Sequence, residues 1–111
     1  MPMTTAPGPM PQGTLDLLIL KTLDSGASHG YAIARWIEQT TDDALRVEEG
    51  SLYPALYRMQ QRKWIKAEWA TSELGKDIKK YSLTTAGSAE LKRRTADWGV
   101  LTSAVQKILA R

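Results

Sequence analysis

Residues 49–61 combine the side chains best suited to contacts with a polyanion. Apolar residues recur there at i, i+3, i+4 and i+7, which predicts the buried stripe of a short helix. From Ser51 onward, the opposite face carries hydroxyls, flat rings, an amide and a guanidinium but no carboxylate, as expected of a helix that approaches phosphates. The segment therefore predicts a DNA-recognition helix. Its buried stripe consists of Leu52, Ala55, Leu56 and Met59, and its outer face of Ser51, Tyr53, Pro54, Tyr57, Arg58 and Gln61.

The residue types at positions 50, 51 and 54 predict where this helix begins. Gly50 interrupts what precedes it, and the hydroxyl of Ser51 can cap the first turn. Pro54 then falls in that first turn, where its missing N–H costs nothing. We therefore expect the helix to begin at Ser51 and to end near Arg62. On its outer face, Arg58 is the best candidate for a contact with guanine, with phosphate as the alternative.

Catalytic and metal chemistry find no support in the sequence. The chain has no cysteine and one histidine, so it cannot build a metal site alone, and no cofactor is expected. We predict that His29 caps a helix or makes a local hydrogen bond. Glu48 and Glu49 are neighbours on an extended stretch and point apart, and Gly75 stands alone rather than in a phosphate-binding loop. Without a nucleophile–base pair, we expect no enzyme.

Positive charge is concentrated around the predicted recognition helix. The 111 residues carry a net charge of +3. Residues 46–94 hold eleven Lys or Arg and six acids, whereas residues 1–45 hold two bases and five acids. This asymmetry favours a nucleic-acid partner, with a solvated basic surface as the alternative.

Two helices and an N-terminal arm are predicted before the recognition helix. Residues 1–12 carry four of the five prolines and no charge, which predicts a disordered arm. Residues 13–25 are apolar almost all round, so this helix must be covered on two sides, and we assign Leu15 and Ile19 to a partner subunit. A second helix is expected over residues 28–40, with Ser28 as its N-cap.

Residues 64–83 predict a hairpin that forms a wing. Residues 64–70 alternate, with Ile65, Ala67 and Trp69 pointing inward, and residues 79–83 form the second strand. Flexible ammonium groups near the tip of such a hairpin suit phosphate contacts. Trp36 and Trp64 are, like Trp69, interpreted as packing residues. The tip lysines are Lys76, Lys79 and Lys80.

The last helix, from Thr84 or Thr85 to about residue 109, carries the strongest periodicity of the chain. Its apolar residues follow a coiled-coil-like spacing that Arg94 interrupts. Dimerisation through this seam is the simplest interpretation, and packing on the chain's own first helix is the alternative. The predicted fold is mainly α with a small β-hairpin, with a winged helix-turn-helix domain over residues 13–84 and a dimerisation helix over residues 85–111. The seam consists of Leu91, Trp98, Leu101, Val105 and Ile108.

Four blocks in this order resemble the PadR family of bacterial winged-helix transcription regulators. They run from Gly13 to Leu20, from His29 to Ile33, from Glu49 to Leu56 and from Lys80 to Gly87. The single C-terminal helix is similar to the short subfamily. The resemblance implies a homodimeric repressor whose helix from Ser51 enters the major groove of double-stranded DNA and whose hairpin contacts the adjacent backbone. The wing is less rich in arginine than is usual in the family, and Asp77 lies among its lysines.

The resemblance also suggests an effector. Some short family members release DNA when they bind hydrophobic compounds, and two facing Trp98 indoles in a symmetric dimer would form a slot for a flat aromatic ligand. Filling of the dimer core is the alternative role of Trp98. A rival function is a ligand-sensing or protein-interaction module that uses a winged helix without recognising a DNA sequence. No secretory signal or apolar span is visible, so we expect a cytoplasmic protein.

Overall fold

Four helices and a small antiparallel sheet follow one another in a computed structural model that describes residues 10, 11 and 13–111. The prediction of a mainly α fold with a small hairpin is confirmed. The arm predicted over residues 1–12 lies outside the described residues, apart from Met10 and Pro11. The elements are α1 (Thr14–Asp24), β1 (Ser28–His29), α2 (Gly30–Thr40), α3 (Glu49–Gln61), β2 (Ile65–Thr71), β3 (Asp77–Leu83) and α4 (Thr85–Leu109).

The apolar stripes of the helices meet in one core beneath the sheet. The stripe predicted for α3 is fully buried, which confirms it. Ile19 is also completely buried and Leu91 is 7% exposed within a single chain, so the prediction that they contact a partner subunit is wrong. An apolar residue in a helix looks the same in sequence whether its own core or a partner covers it. Leu15 is half-buried and keeps some free surface.

The start of α2 is capped by His29 rather than by Ser28. The Nδ1 atom of His29 accepts a hydrogen bond from the backbone N–H of Ala32 (3.3 Å), so the predicted capping role of the histidine is confirmed. Ser28 instead lies in β1, opposite Tyr81 of β3. A strand of two residues has no periodicity, and for this reason sequence reasoning missed it.

Helix α3, predicted to be the recognition helix, begins at Glu49, two residues earlier than expected. Glu48 is extended, and its carbonyl oxygen accepts the N–H groups of Ser51 (3.0 Å) and Leu52 (2.9 Å), which fixes the first turn. Ser51 therefore lies inside the helix and its hydroxyl makes no cap. Pro54 lies in the second turn, not the first, and leaves the carbonyl of Gly50 without an N–H partner. Because Gly50 is exposed, water can hydrate that carbonyl.

The sheet has the order β1-β3-β2, so β3 is central and β2 is an edge. In the hairpin, Thr71 lies opposite Asp77 near the turn, and Ile65 lies opposite Leu83 at the base. Lys80 lies in mid-strand opposite Glu68, so its predicted place near the tip is wrong, because β3 begins two residues before Lys79.

The base of the hairpin and the start of α4 are joined at Thr84. Its N–H donates to the carbonyl oxygen of Trp64 (3.0 Å), and its hydroxyl donates to that of Lys63 (2.6 Å). The same hydroxyl accepts the N–H of Gly87 (3.0 Å), which confirms Thr84 as the N-cap of α4. Gly87 lies against the backbone of Trp64 so closely that a Cβ atom there would overlap the carbonyl oxygen and lie 2.8 Å from the carbonyl carbon.

Helix α4 runs for 25 residues, and only its first turns pack on the rest of the chain. Beyond Leu91 its apolar side chains are exposed. No helix among the described residues has the length and apolar character that a membrane crossing requires.

Replacing Gly87 with alanine should destabilise the fold by about 2–3 kcal/mol, because the new methyl group overlaps backbone that cannot rotate away. Gly99 is the matched control on the same helix, since a Cβ atom there meets nothing within 4 Å. Gly99→Ala should stabilise by up to about 1 kcal/mol. Urea unfolding measures both changes, and equal effects would contradict the close contact at Gly87.

Candidate nucleic-acid interface

The outward face of α3 is exposed to solvent along its length. All six side chains predicted to face outward are exposed, while the opposite stripe is buried. Their contact with DNA remains a prediction. The exposed six are Ser51, Tyr53, Pro54, Tyr57, Arg58 and Gln61.

Tyr53 is positioned by the two elements beside α3. A Cβ atom at Gly30 would lie 2.9 Å from the Tyr53 ring and 3.0 Å from its hydroxyl, so the ring lies against the start of α2 only because that residue is glycine. On the other side lies Tyr81 of β3. Burial raises the pKa of the Tyr81 hydroxyl, and the neighbouring Tyr53 phenol raises it further. Tyr53 thus spans from α2 to the wing, with 45% of its surface exposed.

Arg58 already has a partner within the chain. Its Nη2 atom donates to the Oδ1 atom of Asp16 in α1 at 3.0 Å, while more than half of the side chain stays exposed. The guanidinium is therefore tied to α1 on one edge and open to solvent on the other. Its assignment as the best guanine contact stays a prediction, and the structure adds a role in holding α3.

Asp16 connects three helices. Its carboxylate is largely buried and lies 3.0 Å from Arg58 of α3 and 4.0 Å from the Nη1 atom of Arg94 in α4. The Nε atom of Arg94 in turn donates to the Oε2 atom of Glu90 (2.6 Å). Hydrogen bonding from Arg93, followed by that from Arg94, lowers the pKa of Glu90 despite its partial burial. This cluster explains the arginine that interrupts the predicted seam.

The sequence does indicate a buried role for Asp16. It lies among Leu15, Leu17 and Leu18, and a carboxylate in such apolar surroundings needs a cationic partner. Nothing in the sequence, however, indicates that the partner is Arg58 rather than any other base, because the two residues come together only in the folded chain.

Two carboxylates lie at the N-terminal end of α3. Glu48 is the N-cap and Glu49 the first helical residue, and both are exposed. Carboxylates at the N-terminus of a helix interact favourably with its dipole, but their negative charge repels a phosphate. The N–H of Ser51 is occupied by the Glu48 carbonyl, so this backbone group is not available to an anion, and only the Ser51 hydroxyl is free.

The lysines of the wing differ in their surroundings. Lys76 lies in the turn and is exposed, and Lys80 is exposed in mid-strand. The Nζ atom of Lys79 lies 5.9 Å from the ring of Trp69 and 6.0 Å from that of Tyr81, within cation–π range of both.

The tryptophans predicted as packing residues divide into two kinds. Trp64 is half-buried between the guanidinium groups of Arg62 (5.3 Å) and Arg94 (5.0 Å), which confirms its packing role. Trp36 is 43% exposed and packs only in part, and Trp69 is 71% exposed, so the prediction for Trp69 is wrong.

The outer part of α4 presents an unpaired apolar face. Trp98, Leu101, Val105 and Ile108 are all exposed in the single chain. A groove of about 240 Å³ runs between the start of α1 and α4, and the apolar Leu17, Trp98 and Leu101 line it together with Arg94. Within residues 10, 11 and 13–111, no three acidic or histidine side chains gather where they could hold a metal ion.

Comparison with known proteins gives consistent matches along the chain. The model of the "Transcriptional regulator PadR-like family" matches residues 19–93. An uncharacterized protein from Lysinibacillus sphaericus is 28% identical over 87 residues, which cover 78% of this chain and 80% of the relative.

Solved structures show the same similarity in three dimensions. A transcriptional regulator from Clostridium thermocellum has a TM-score of 0.80 at 29% identity, over 86% of this chain and 93% of that one. A PadR-like transcriptional regulator from Bacillus cereus has a TM-score of 0.76 at 31% identity, over 88% and 93% of the two chains. A PadR family transcription regulator from Clostridium difficile has a TM-score of 0.76 at 29% identity, over 87% and 99%.

Removing either partner of the Asp16–Arg58 pair should destabilise the fold, and removing both should cost less than the sum. Arg58→Ala leaves a buried carboxylate with one distant cation, and we expect a loss of about 1 kcal/mol after allowance for the exposed arginine. The double variant with Asp16→Ala should recover part of the two single losses. Gln61→Ala is the exposed control, with a change below about 0.5 kcal/mol. Strictly additive losses in urea unfolding would show that the pair does not couple the helices.

Proposed function

Because the chain belongs to the PadR-like family of transcriptional regulators, we propose that it acts as a homodimeric repressor that recognises a pseudo-palindromic operator through α3. The family consists of transcription regulators rather than enzymes, and membership supports binding to DNA. The observation that carries the proposal is the outward face of α3. From Ser51 to Gln61 it is exposed and bears hydroxyls, rings, an amide and a guanidinium without a carboxylate.

The placement of α3 suits entry into the major groove. Its buried stripe is held by α1 and α2, so the outward side chains project as a rigid row. Tyr57 is the more exposed of the two tyrosines of α3, and Tyr53 contacts the start of α2, where the first helix of a helix-turn-helix crosses the backbone. Glu48 and Glu49 lie at one end of this row, and their charge would keep phosphates toward the middle and C-terminal half of α3. Arg58 then binds guanine or phosphate with the edge that Asp16 leaves open.

The second subunit is proposed to cover α4. A monomer leaves Trp98, Leu101, Val105 and Ile108 exposed on one side of a helix, and a second copy of the same helix would bury them. Leu15, half-buried beside this surface, would complete the contact. Two heads joined in this way would meet successive major grooves about 34 Å apart, and binding there would block transcription sterically.

The groove beside Trp98 supports an effector as the regulatory signal. It is lined by apolar side chains and by the charged groups of Arg94 and Asp97, which suits a flat hydrophobic molecule with a few polar atoms. In the proposed dimer the partner's surface would enclose it further. Since Arg94 also approaches Asp16, a ligand in this groove would touch the cluster that holds Arg58. Release of DNA by such compounds would appear as a loss of affinity in the titration below.

The DNA titration tests the recognition helix. The full chain should shift a duplex from the region upstream of its own gene more readily than a random duplex, and its affinity should fall by orders of magnitude between about 50 and 200 mM salt. Tyr57→Ala should weaken specific binding about tenfold, because each base-edge or phosphate contact contributes about 1–3 kcal/mol. Tyr57 is more suitable than Arg58 here, since its removal breaks no hydrogen bond in the described chain.

The control is Gln39→Ala at the exposed end of α2, which should bind as the wild type does. Equal affinity for both duplexes, unchanged in Tyr57→Ala, would contradict sequence recognition by α3. It would then favour a winged helix used for something other than DNA.

The oligomeric state tests the role of α4. Light scattering or sedimentation should give twice the chain mass for the wild type and a monomer for Val105→Glu, because a carboxylate in an apolar seam must be desolvated. Ser103→Glu, on the opposite side of α4, is the matched control and should remain dimeric. A Val105→Glu variant that stays dimeric would exclude this surface as the interface.

A further inference from the structure

The inner face of the hairpin continues past the body of the protein. Side chains on β2 alternate, and Ile65, Ala67 and Trp69 share one face. Ile65 is buried and Ala67 is half-buried, but Trp69 is 71% exposed. The face that covers the core at the base of the hairpin is therefore open toward the tip, and its last large side chain is an uncovered indole.

The cross-strand register shows where the core ends. On this face Ile65 is paired with Leu83, Ala67 with Tyr81, and Trp69 with Lys79. Tyr81 is the last buried residue of the series. The body of the domain reaches as far as Tyr81, and the pair of Trp69 and Lys79 lies beyond it.

This open face lies on the side of the hairpin that leads to α3. Tyr53, an exposed residue of α3, lies against Gly30 directly after β1, and β1 is paired with β3 at Tyr81. The Tyr53 phenol also raises the pKa of the Tyr81 hydroxyl. The ammonium group of Lys79 lies about equally far from the Tyr81 and Trp69 rings, at 6.0 and 5.9 Å. The exposed Trp69 and the neighbouring Lys79 are thus connected to the exposed Tyr53 of α3 through Tyr81, which is itself buried.

The opposite face of β2 has a different character. Lys66 and Glu68 of β2 and Lys80 of β3 lie there, with Lys80 opposite Glu68 and the charged groups of Lys66 and Glu68 4.0 Å apart. That face therefore carries charged side chains but no aromatic ring. Lys79 shares the Trp69 face with Asp77 but has no carboxylate within 4.0 Å among the described residues. Of the two faces of the wing, only the one that bears Trp69 offers both a free cation and a flat apolar surface.

We propose that Trp69 is a DNA contact, with its indole lying against a deoxyribose of the backbone that borders the groove occupied by α3, while Lys79 binds the adjacent phosphate. The inference rests on the proposed function, since it assumes that α3 meets DNA. A deoxyribose presents C–H groups that an indole face covers well, and the neighbouring phosphate attracts the ammonium group that already borders the ring. Because neither group reaches a base edge, the contact adds affinity on any sequence.

The test compares Trp69→Ala with the wild type on two duplexes, the chain's own upstream region and a random sequence, by fluorescence anisotropy at low salt. We expect Trp69→Ala to weaken binding about five- to tenfold on both duplexes, in keeping with the loss of one aromatic contact. Trp69→Phe, which keeps a flat ring, should bind within about twofold of the wild type. Lys79→Ala should reduce the slope of log affinity against log salt by about one.

Two controls separate this contact from changes in the fold. Trp36→Ala removes a partly exposed indole from α2, outside the wing, and should leave DNA affinity unchanged. The unfolding midpoint of Trp69→Ala should match that of the wild type, because most of the indole surface is already in water.

The outcomes also separate this inference from the proposed function. If the wild type binds DNA and Tyr57→Ala weakens it while Trp69→Ala does not, the wing contact alone is overturned. If the wild type binds neither duplex, both proposals fail. A loss confined to the upstream duplex would overturn the assignment to the backbone, since a backbone contact is independent of sequence.

Discussion

The close contact between Gly87 and the backbone of Trp64 sets the positions of the other functional elements. Here the end of α3, the base of the hairpin and the start of α4 meet within one turn of chain, and Thr84 ties them through its N–H and hydroxyl. The direction in which α4 leaves the domain is fixed at this point, because a backbone carbonyl packs directly against a helix and cannot shift independently. In the proposed dimer, the separation and tilt of the two recognition helices follow from this junction.

A second constraint is electrostatic. Asp16 lies in the apolar interior of the helix assembly and holds Arg58 of the recognition helix and, more loosely, Arg94 of α4. A buried carboxylate is costly unless cations neutralise it, so the three helices are tied by a charge that none of them satisfies alone. Arg94 belongs to this cluster and also lines the groove beside Trp98, which links the outer helix physically to Arg58 of α3.

Much of the fold follows from local patterns, and the errors have specific causes. The stripe from Leu52 to Met59 and the N-cap at Thr84 were predictable because periodicity and capping depend on neighbours in sequence. The start of α3 was misplaced because the extended Glu48 carbonyl, not the Ser51 side chain, organises its first turn. Alternation placed Trp69 on the inner face correctly but carried no information on how far the core extends beneath it. The DNA-facing and dimer-forming roles depend on partners, so the exposed residues of α3 and α4 locate surfaces without identifying what covers them.

The edge position of β2 has a consequence for behaviour in concentrated solution. With the order β1-β3-β2, one side of a seven-residue strand has unpaired backbone groups that a strand of another molecule could extend. Lys66 and Glu68 lie two residues apart on this strand, and a strand added beside it would remove water from both charged groups. The charged pair therefore disfavours edge-to-edge association of two molecules. Replacing both residues with β-branched apolar ones would make this edge prone to aggregation.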